Sequence, residues 1–373
     1  MLPHGSPKFS NGRNLTAPVL FGRAAPPGQR RLRTEFGWAW AICRTIGLGL
    51  AALQLLLPDK AFALACSITP ISGGYGTVNV LSGTVIDSTA SITVTCTGGS
   101  ANQVVRFCLN VGAGITALGP SNERVLRTST DYIDHEYYFD AARTQLWGSW
   151  GIGAATAYPS AAPAGIQQDV TLNSSGNGTF NYTVYARILA SQQNTTPGTY
   201  TWTGNSPTVQ YRTQSGASSC PTNGGSADAG GSSFTATVKA DCNISTTALT
   251  FSSSPSTIAS NIDATATITA QCTNTTPYSI GLDNGSNVSG NQRRMRLGAT
   301  SNYINYGLYT DAARSISWKT STSTTSCTSG TSTCILGTGT GSDQSTTVYG
   351  RVPPQTAPAS GTFSDTIVAT ITF

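Results

Sequence analysis

The chain carries one sequence pattern twice, and this duplication limits what it can fold into. The phrase "YFDAAR" at residues 138–143 returns as "YTDAAR" at residues 309–314, and a tryptophan follows each phrase four residues later, Trp147 and Trp318. Further blocks match in the same order, including "ASITVTC" with "ATITAQC" and "VYAR" with "VYGR". Matching blocks in one order predict two domains of the same fold in tandem.

Residues that both copies share are expected to serve the scaffold. We predict that Trp147 and Trp318 pack in equivalent cores, and that Arg143 and Arg314 pair with nearby carboxylates. Residues that only one copy has are the better candidates for function.

Residues 1–65 have the features of a leader. They hold eight Lys or Arg and two Asp or Glu, a net charge of +6, whereas the rest of the chain has a net charge of −1. An apolar run from Ile46 to Leu57 precedes small residues that suit a cut after Ala63 or Ala65. Because the run is shorter than the ~20 residues of a membrane helix, a cleaved secretory signal peptide is predicted. The nearly neutral remainder has no basic patch that suggests nucleic acid as a partner.

Eight cysteines follow the leader, and their spacing predicts disulfides. The interval of thirty residues from Cys66 to Cys96 recurs from Cys242 to Cys272, so these two pairs are predicted to be bonded. The remaining pairs are predicted to be Cys327–Cys334, from proximity, and Cys108–Cys220, from what is left. An even number of cysteines in an exported chain is typical of a disulfide framework. The sequence has no CxxC pair, the spacing that would suggest zinc or another metal.

Each copy, residues 66–241 and residues 242–373, is predicted to be all-β. Segments such as "SITVTC" and "DTIVATITF" alternate at period two and are rich in Val, Ile and Thr. Charged residues make up only 10% of the chain, against roughly 25% in ordinary domains, because Gly, Ser, Thr and Asn take their place. Many short strands with frequent turns predict a β-sandwich in each copy.

The order of these motifs resembles the spore coat protein U domain family. The residues that carry the resemblance are "ITVTC", "Y-x-D-A-A-R" with its tryptophan, "VYGR" and "GTFSDTIVATITF", over residues 66–373. It implies an immunoglobulin-like sandwich that lacks one strand, as in pilin subunits of archaic chaperone–usher pili. The implied partners are a periplasmic pilus chaperone, an outer-membrane usher and the adjacent pilin subunit. The implied route leads through the periplasm to a cell-surface fimbrium, and two-copy chains of this kind resemble the tip adhesin.

The junction of the copies is predicted to supply the strand that the first copy would lack. In "FTATVKADC" one face carries Phe234, Ala236, Val238 and Ala240. We expect this segment to be the last strand of the first copy, although it could instead be a free linker. The second copy has no such segment after it, so it is expected to need a strand from another chain.

The final β-segment is the predicted edge for the chaperone and the donor strand. Its residues on one face are Ile367, Ala369, Ile371 and Phe373. An incoming strand would add to this edge through backbone hydrogen bonds.

Two apolar loops of the first copy have no counterpart in the second and form a predicted surface-binding site. The residues assigned to it are Trp150, Ile152 and Tyr158, with Ile115 and Leu118 in the neighbouring loop. A hydrophobic or host surface would be the partner, and the result would be attachment and biofilm formation. These side chains could instead cap the end of the core of the first copy.

Two alternatives to a tip adhesin remain open. The chain could be a structural pilus or coat subunit without a ligand, or a lectin in which Trp150 and Tyr158 stack on a sugar. An enzyme is not expected, and neither is a cofactor. The acidic stretch "DYIDHEYYFD" around His135 has mostly neutral counterparts in the second copy, so it is interpreted as a polar surface strand and turn.

Overall fold

A computed structural model describes residues 63–114, 118–120, 122–150, 157–158, 165–204, 207–213, 225–320 and 334–373. Within these ranges every regular element is a β-strand. In the same ranges, no helix of a length and apolarity that could span a membrane occurs. The fold class is therefore all-β, as the sequence predicts.

Fourteen strands belong to the first copy. They are β1 (Ala65–Ile68), β2 (Ser72–Val78), β3 (Ile86–Thr97), β4 (Val104–Asn110), β5 (Arg124–Arg127), β6 (Tyr132–Tyr138), β7 (Ser149–Trp150), β8 (Ala157–Tyr158), β9 (Ile166–Thr171), β10 (Gly178–Ile188), β11 (Gly198–Gly204), β12 (Thr208–Thr213), β13 (Gly225–Asp228) and β14 (Ser232–Val238). One sheet has the order β1-β3-β10-β6-β5-β11-β14-β2, and the other has the order β13-β12-β4-β9. Both sheets contribute to one apolar core, so we call this unit the first sandwich.

Eleven strands belong to the second copy. They are β15 (Cys242–Thr246), β16 (Thr257–Ile258), β17 (Ile262–Cys272), β18 (Pro277–Leu282), β19 (Arg293–Leu297), β20 (Tyr303–Tyr309), β21 (Ile335–Thr338), β22 (Asp343–Val352), β23 (Gln355–Thr356), β24 (Phe363–Ser364) and β25 (Ala369–Thr372). Its sheets have the orders β15-β17-β22-β20-β19-β24 and β21-β18-β25, with β16 paired to β23. These sheets enclose a second apolar core, and we call this unit the second sandwich.

The larger sheets of the two sandwiches match strand for strand up to a point. The strand order β15-β17-β22-β20-β19-β24 in the second sandwich is equivalent to the order β1-β3-β10-β6-β5-β11 in the first. The first sandwich then continues with β14 and β2, whereas the described part of the second sheet ends at β24. The duplicated chain has therefore produced one sheet that is two strands longer than the other.

Disulfides hold the first strand of each sandwich to its neighbour. Cys66 is bonded to Cys96 and Cys242 to Cys272, and in each pair the two residues lie directly opposite each other across antiparallel strands. These are the two bonds that the repeated spacing predicts. Cys108 and Cys334 are also disulfide-bonded, while their predicted partners, Cys220 and Cys327, lie outside the described residues.

The two repeated tryptophans fill equivalent places. Trp147 is 1% exposed and Trp318 is 0% exposed. The Nε1 of Trp147 donates a hydrogen bond to the Leu109 carbonyl oxygen at 3.3 Å, and that of Trp318 donates to the Ile280 carbonyl oxygen at 2.9 Å. Each ring therefore fixes the same contact between sheets, which explains why the chain repeats it.

The repeated arginines make equivalent turns. Arg143 and Arg314 have φ values of 55° and 58°, a left-handed backbone that few non-glycine residues adopt. Their guanidinium groups pair with Asp87 and Asp263, each at 3.2 Å. The predicted pairing with carboxylates is confirmed in both copies.

Candidate functional site

Strand β14 completes the first sandwich. It runs antiparallel to β11 and parallel to β2, and it covers the core between them. The side chains of Phe234, Ala236 and Val238 are 0%, 1% and 2% exposed. The strand ends at Val238, and Ala240 is exposed. The prediction that Ala240 belongs to the completing strand is thus wrong, because the strand ends two residues before it.

Phe234 is the largest side chain that β14 places in the core. Its ring meets the rings of Tyr75 at 5.1 Å and Tyr137 at 5.7 Å, both edge to face. A Cβ atom added at Gly73 would lie 3.0 Å from the Phe234 ring. The glycine in β2 therefore lets β14 and its aromatic side chain approach closely.

The second sandwich has an open groove where the first has β14. A cavity of about 840 Å³ lies there. Apolar side chains line its floor, namely Ile268, Met295, Ile304, Leu308 and Val348. By strand register these residues match Ile92, Leu126, Ile133, Tyr137 and Val184. In the first sandwich all five counterparts are fully buried, at 0% exposure. The groove therefore lies over the part of the core that β14 covers in the first sandwich.

The two sides of this groove carry unpaired backbone. Residues 247–256 form no strand, and the described structure gives residues 248–255 no backbone–backbone hydrogen bond. On the other side β24 comprises only Phe363 and Ser364, and Ile367 is half-buried beyond it. A strand laid between these segments would find partners on both sides, as β14 does between β2 and β11.

The terminal strand β25 is an edge of the smaller sheet. It pairs with β18 on one side, whereas β12, at the matching place in the first sandwich, has β13 on its outer side. Ala369 and Ile371 are half-buried against the second core, while Phe373 is 48% exposed. The predicted chaperone edge is thus an edge strand in the described structure, with Phe373 just beyond its end.

The predicted surface-binding site is only partly described. Ile115 and Ile152 lie outside the described residues, Leu118 is half-buried, and the backbone of Trp150 pairs with that of Ala157 between β7 and β8.

Tyr158, the fifth predicted member of this site, is buried rather than exposed, at 3% exposure. Its hydroxyl donates a hydrogen bond to Glu136, and the Arg124 guanidinium lies 4.0 Å from the centre of its ring. The assignment of Tyr158 to an exposed surface is wrong, because these two buried partners hold its ring inside the sandwich.

A buried ion pair between Arg124 and Glu136 is the feature that the sequence interpretation missed. Arg124 Nη1 lies 2.7 Å from Glu136 Oε2, and both side chains are almost fully buried. Arg124 Nη2 also donates to the Trp147 carbonyl oxygen at 2.7 Å. Burial raises the pKa of Glu136 above its usual range. The signal that could have found Arg124 is that an arginine, Arg293, stands at the same place in the second copy.

Arg293 repeats the role of Arg124 without a buried acid. Its Nη2 donates to the Trp318 carbonyl oxygen at 2.7 Å, as Arg124 does to that of Trp147. Gly307 stands where the first sandwich has Glu136. Burial lowers the pKa of Arg293 from its ordinary value. The carboxylate that holds Tyr158 therefore belongs to the first sandwich alone.

The acidic stretch of the first copy is a set of structural contacts. His135 is 0% exposed and Glu136 is 5% exposed, so the interpretation of this stretch as a polar surface is wrong for both. Asp131 accepts hydrogen bonds from the Tyr200 hydroxyl and the Thr196 amide, each at 2.8 Å. Among the described residues, no three His, Cys, Asp or Glu side chains are grouped to hold a metal ion. These contacts support the fold of the first sandwich.

The fold defines a protein of two tandem β-sandwiches, one whose sheet includes β14 and one with a groove at the matching place. The chain belongs to the Spore Coat Protein U domain family, whose model matches residues 52–203 and 230–370. It is similar to "Protein U" of Myxococcus xanthus, with 44% identity over 81 residues, which are 22% of this chain and 40% of that protein.

The chain is also similar to solved structures, two of which are of pilus proteins. One is a complex of the chaperone CsuC with the tip adhesion subunit CsuE, from archaic Csu pili of Acinetobacter baumannii. It has 16% identity and a TM-score of 0.48, and covers 83% of this chain and all of that chain. Another is the CupB6 tip adhesin of Pseudomonas aeruginosa, with 11% identity and a TM-score of 0.34, covering 83% of this chain and 94% of that chain.

Proposed function

We propose that this chain is a pilus subunit whose second sandwich, residues 242–373, is completed by a β-strand from another polypeptide. The observation that carries the proposal is the cavity of about 840 Å³ at the place that β14 fills in the first sandwich. A periplasmic chaperone supplies the strand first, and the adjacent pilin subunit supplies it in the fibre. Membership of the family supports this class of protein.

Simple physical chemistry favours a strand as the occupant. The groove offers apolar side chains on its floor and unpaired backbone on its two sides. A peptide in β-conformation satisfies both, because its alternate side chains enter the groove while its backbone bonds sideways. Strand addition also removes two exposed edges, which otherwise favour aggregation.

The first sandwich, residues 66–241, is proposed to form the free end of the fibre. Its own β14 fills the place at which a strand from another subunit would add. The open groove that we propose for joining therefore lies in the second sandwich. Because β14 is already paired within the first sandwich, this segment is not free to enter the groove of another subunit. A subunit that accepts a strand without donating one ends a fibre, and we therefore propose a tip adhesin that reaches the cell surface through the periplasm and an outer-membrane usher.

Attachment is proposed to involve the apolar loops of the first sandwich. Trp150, Ile152, Ile115 and Leu118 remain candidates for contact with a hydrophobic or host surface, whereas the buried Tyr158 now serves to anchor the hairpin of β7 and β8. The burial of Tyr158 also counts against the lectin alternative, which needs that ring to stack on a sugar.

Immunogold labelling of piliated cells tests the proposal. We expect one label at the free end of each fibre. Labels along the shaft would favour the structural-subunit alternative, and unlabelled fibres would contradict a pilus role.

Attachment itself is tested by a Trp150→Ser and Ile152→Ser double variant. It should assemble normally and attach less to a hydrophobic surface. Its control is Val85→Ser, which removes an apolar side chain that is 44% exposed elsewhere on the first sandwich. Normal attachment by the double variant would exclude the loop as the binding site.

A further inference from the structure

Residues 248–255 of the second sandwich, which we call the strap, lie along the groove without being part of a sheet. Leu249 and Phe251 are half-buried and pack against the core, while their neighbours at 248, 250 and 252 are exposed. This alternation is that of a strand, yet the strap has no backbone–backbone hydrogen bond in the described structure. The strap is thus extended and holds two apolar side chains in the groove.

The two side chains rest on Gly350. A Cβ atom added at Gly350 would lie 2.8 Å from Leu249 Cδ1 and 3.0 Å from Phe251 Cζ. Gly350 belongs to β22 and pairs with Ala264 and Leu308. The seated strap therefore depends on the missing methyl group at this position.

The first sandwich has that methyl group. Ala186 occupies the matching place in β10, in "VYAR" against "VYGR", and is fully buried. There the chain that follows the first disulfide-bonded strand forms β2, which pairs with β14 instead of lying unpaired. A completed sandwich thus accommodates an alanine at this site.

We infer that the strap has two positions, an inference that rests on the proposed function. In the empty groove it sits on Gly350 and covers part of the floor. When a partner strand enters, the strap lifts from Gly350 and pairs alongside it, as β2 pairs with β14. The strap thereby limits exposure of the empty groove, and its release is part of the cost of strand binding.

The test uses one polypeptide of residues 66–373 and a labelled peptide with the sequence of residues 230–241, "GGSSFTATVKAD". Gly350→Ala should push the flexible ends of Leu249 and Phe251 outward and destabilise the seated strap. Fluorescence anisotropy should then show peptide binding about tenfold tighter than in the wild type. The matched control is Ala186→Gly in the first sandwich, which should leave the affinity unchanged.

A second readout does not need the peptide. An apolar dye such as bis-ANS should bind more strongly to Gly350→Ala, because the floor of the groove is then exposed. If Gly350→Ala does not fold, Phe251→Ala replaces it, and the same increases in dye and peptide binding are expected.

Equal or weaker peptide binding by these variants would overturn the inference that the strap has two positions. Failure of every form to bind the peptide would instead count against the proposed occupant of the groove. Dye binding alone would then test whether the strap covers the groove. Unchanged dye binding by the variants would show that it does not.

Discussion

Arg124 and Arg293 show how one residue keeps its task while its surroundings change. Each buried guanidinium binds the carbonyl oxygen of the repeated tryptophan at 2.7 Å. Only Arg124 faces a buried carboxylate, that of Glu136. A buried charge without its partner is costly, because the interior does not solvate it. The pair therefore matters more to the first sandwich than any exposed ion pair.

Replacing Glu136 tests this view. Glu136→Gln leaves Arg124 buried without a counter-charge, and we expect it to destabilise the first sandwich by about 3 kcal/mol. Urea unfolding followed by tryptophan fluorescence measures this, since three of the four tryptophans after the leader lie in the first copy. Asp169→Asn, in the partly exposed pair with Arg106, is the control and should change the unfolding midpoint little. Equal effects of the two variants would contradict a special role for the buried pair.

His135 predicts a pH dependence. Burial, and then the neighbouring Arg124, hold the pKa of His135 well below its ordinary 6.5. Below pH 6.5 the unfolded chain binds a proton that the folded chain does not, so folding stability falls as pH falls, by up to about 1.4 kcal/mol per pH unit. The groups that face it are the rings of Tyr75, Tyr137 and Trp202, together with Arg124.

Glu136 acts in the opposite direction, because burial raises its pKa and acid therefore favours its folded form. Comparison with a variant that lacks His135 separates the contribution of this residue from that of Glu136. His135 is the only histidine in residues 66–373. The free energy of unfolding of the wild type and of His135→Phe is measured by urea titration from pH 7 to pH 5. As pH falls, the wild type should lose stability relative to His135→Phe. A constant difference would show that His135 does not titrate in this way.

The sequence could identify residues with a repeated role, but not those with a unique one. Trp147 and Trp318 were predictable as core because two copies agree on them. An aromatic residue among glycines and alanines gives no sign of a buried partner, so the sequence alone predicts that Tyr158 is exposed. Its partner Glu136 lies 22 residues away in sequence, and only the folded chain brings the two together.

At the scale of elements, β14 is the difference between a complete sandwich and an open one. Its alternation of Phe234, Ala236 and Val238 predicts which face is buried. The same alternation continues to Ala240, although the strand has ended. Periodicity thus predicts a face but not a boundary, because the end of a strand depends on where its neighbours end.

A pair of substitutions tests the role of β14. Phe234→Ala removes a ring that packs on Tyr75 and Tyr137 and should destabilise the first sandwich by about 3–5 kcal/mol. Ala240→Ser lies two residues beyond the strand and should leave thermal unfolding unchanged. A large effect of Ala240→Ser would mean that the strand extends further than Val238, and a small effect of Phe234→Ala would mean that β14 does not complete the core.

At the scale of the whole molecule, a duplicated fold has been used in two ways. The first sandwich takes its last strand from the chain itself, and the second leaves the same place open. The sequence could predict the first half of this difference, because the alternation in "FTATVKAD" fits a last strand of the first copy. It could not predict the strap, since Leu249 and Phe251 match a strand pattern whether or not a neighbouring strand is present.

Two fragments test whether the first sandwich is self-sufficient. Residues 66–241 should form a stable monomer with cooperative unfolding. Residues 66–231 lack β14, which buries three apolar side chains, and should be aggregation-prone or unfolded. Circular dichroism and size-exclusion chromatography compare them. Equal stability of the two fragments would show that β14 is not needed to complete the first sandwich.

We propose that the second sandwich accepts a strand at the place that β14 fills in the first. Hydrogen–deuterium exchange on residues 66–373, with and without the 230–241 peptide, tests this proposal. The peptide should slow exchange at residues 248–255 and 361–367, the two sides of the groove, and should leave exchange at residues 72–78 of the first sandwich unchanged. Protection confined to the first sandwich, or no protection at a peptide concentration that saturates binding, would contradict it.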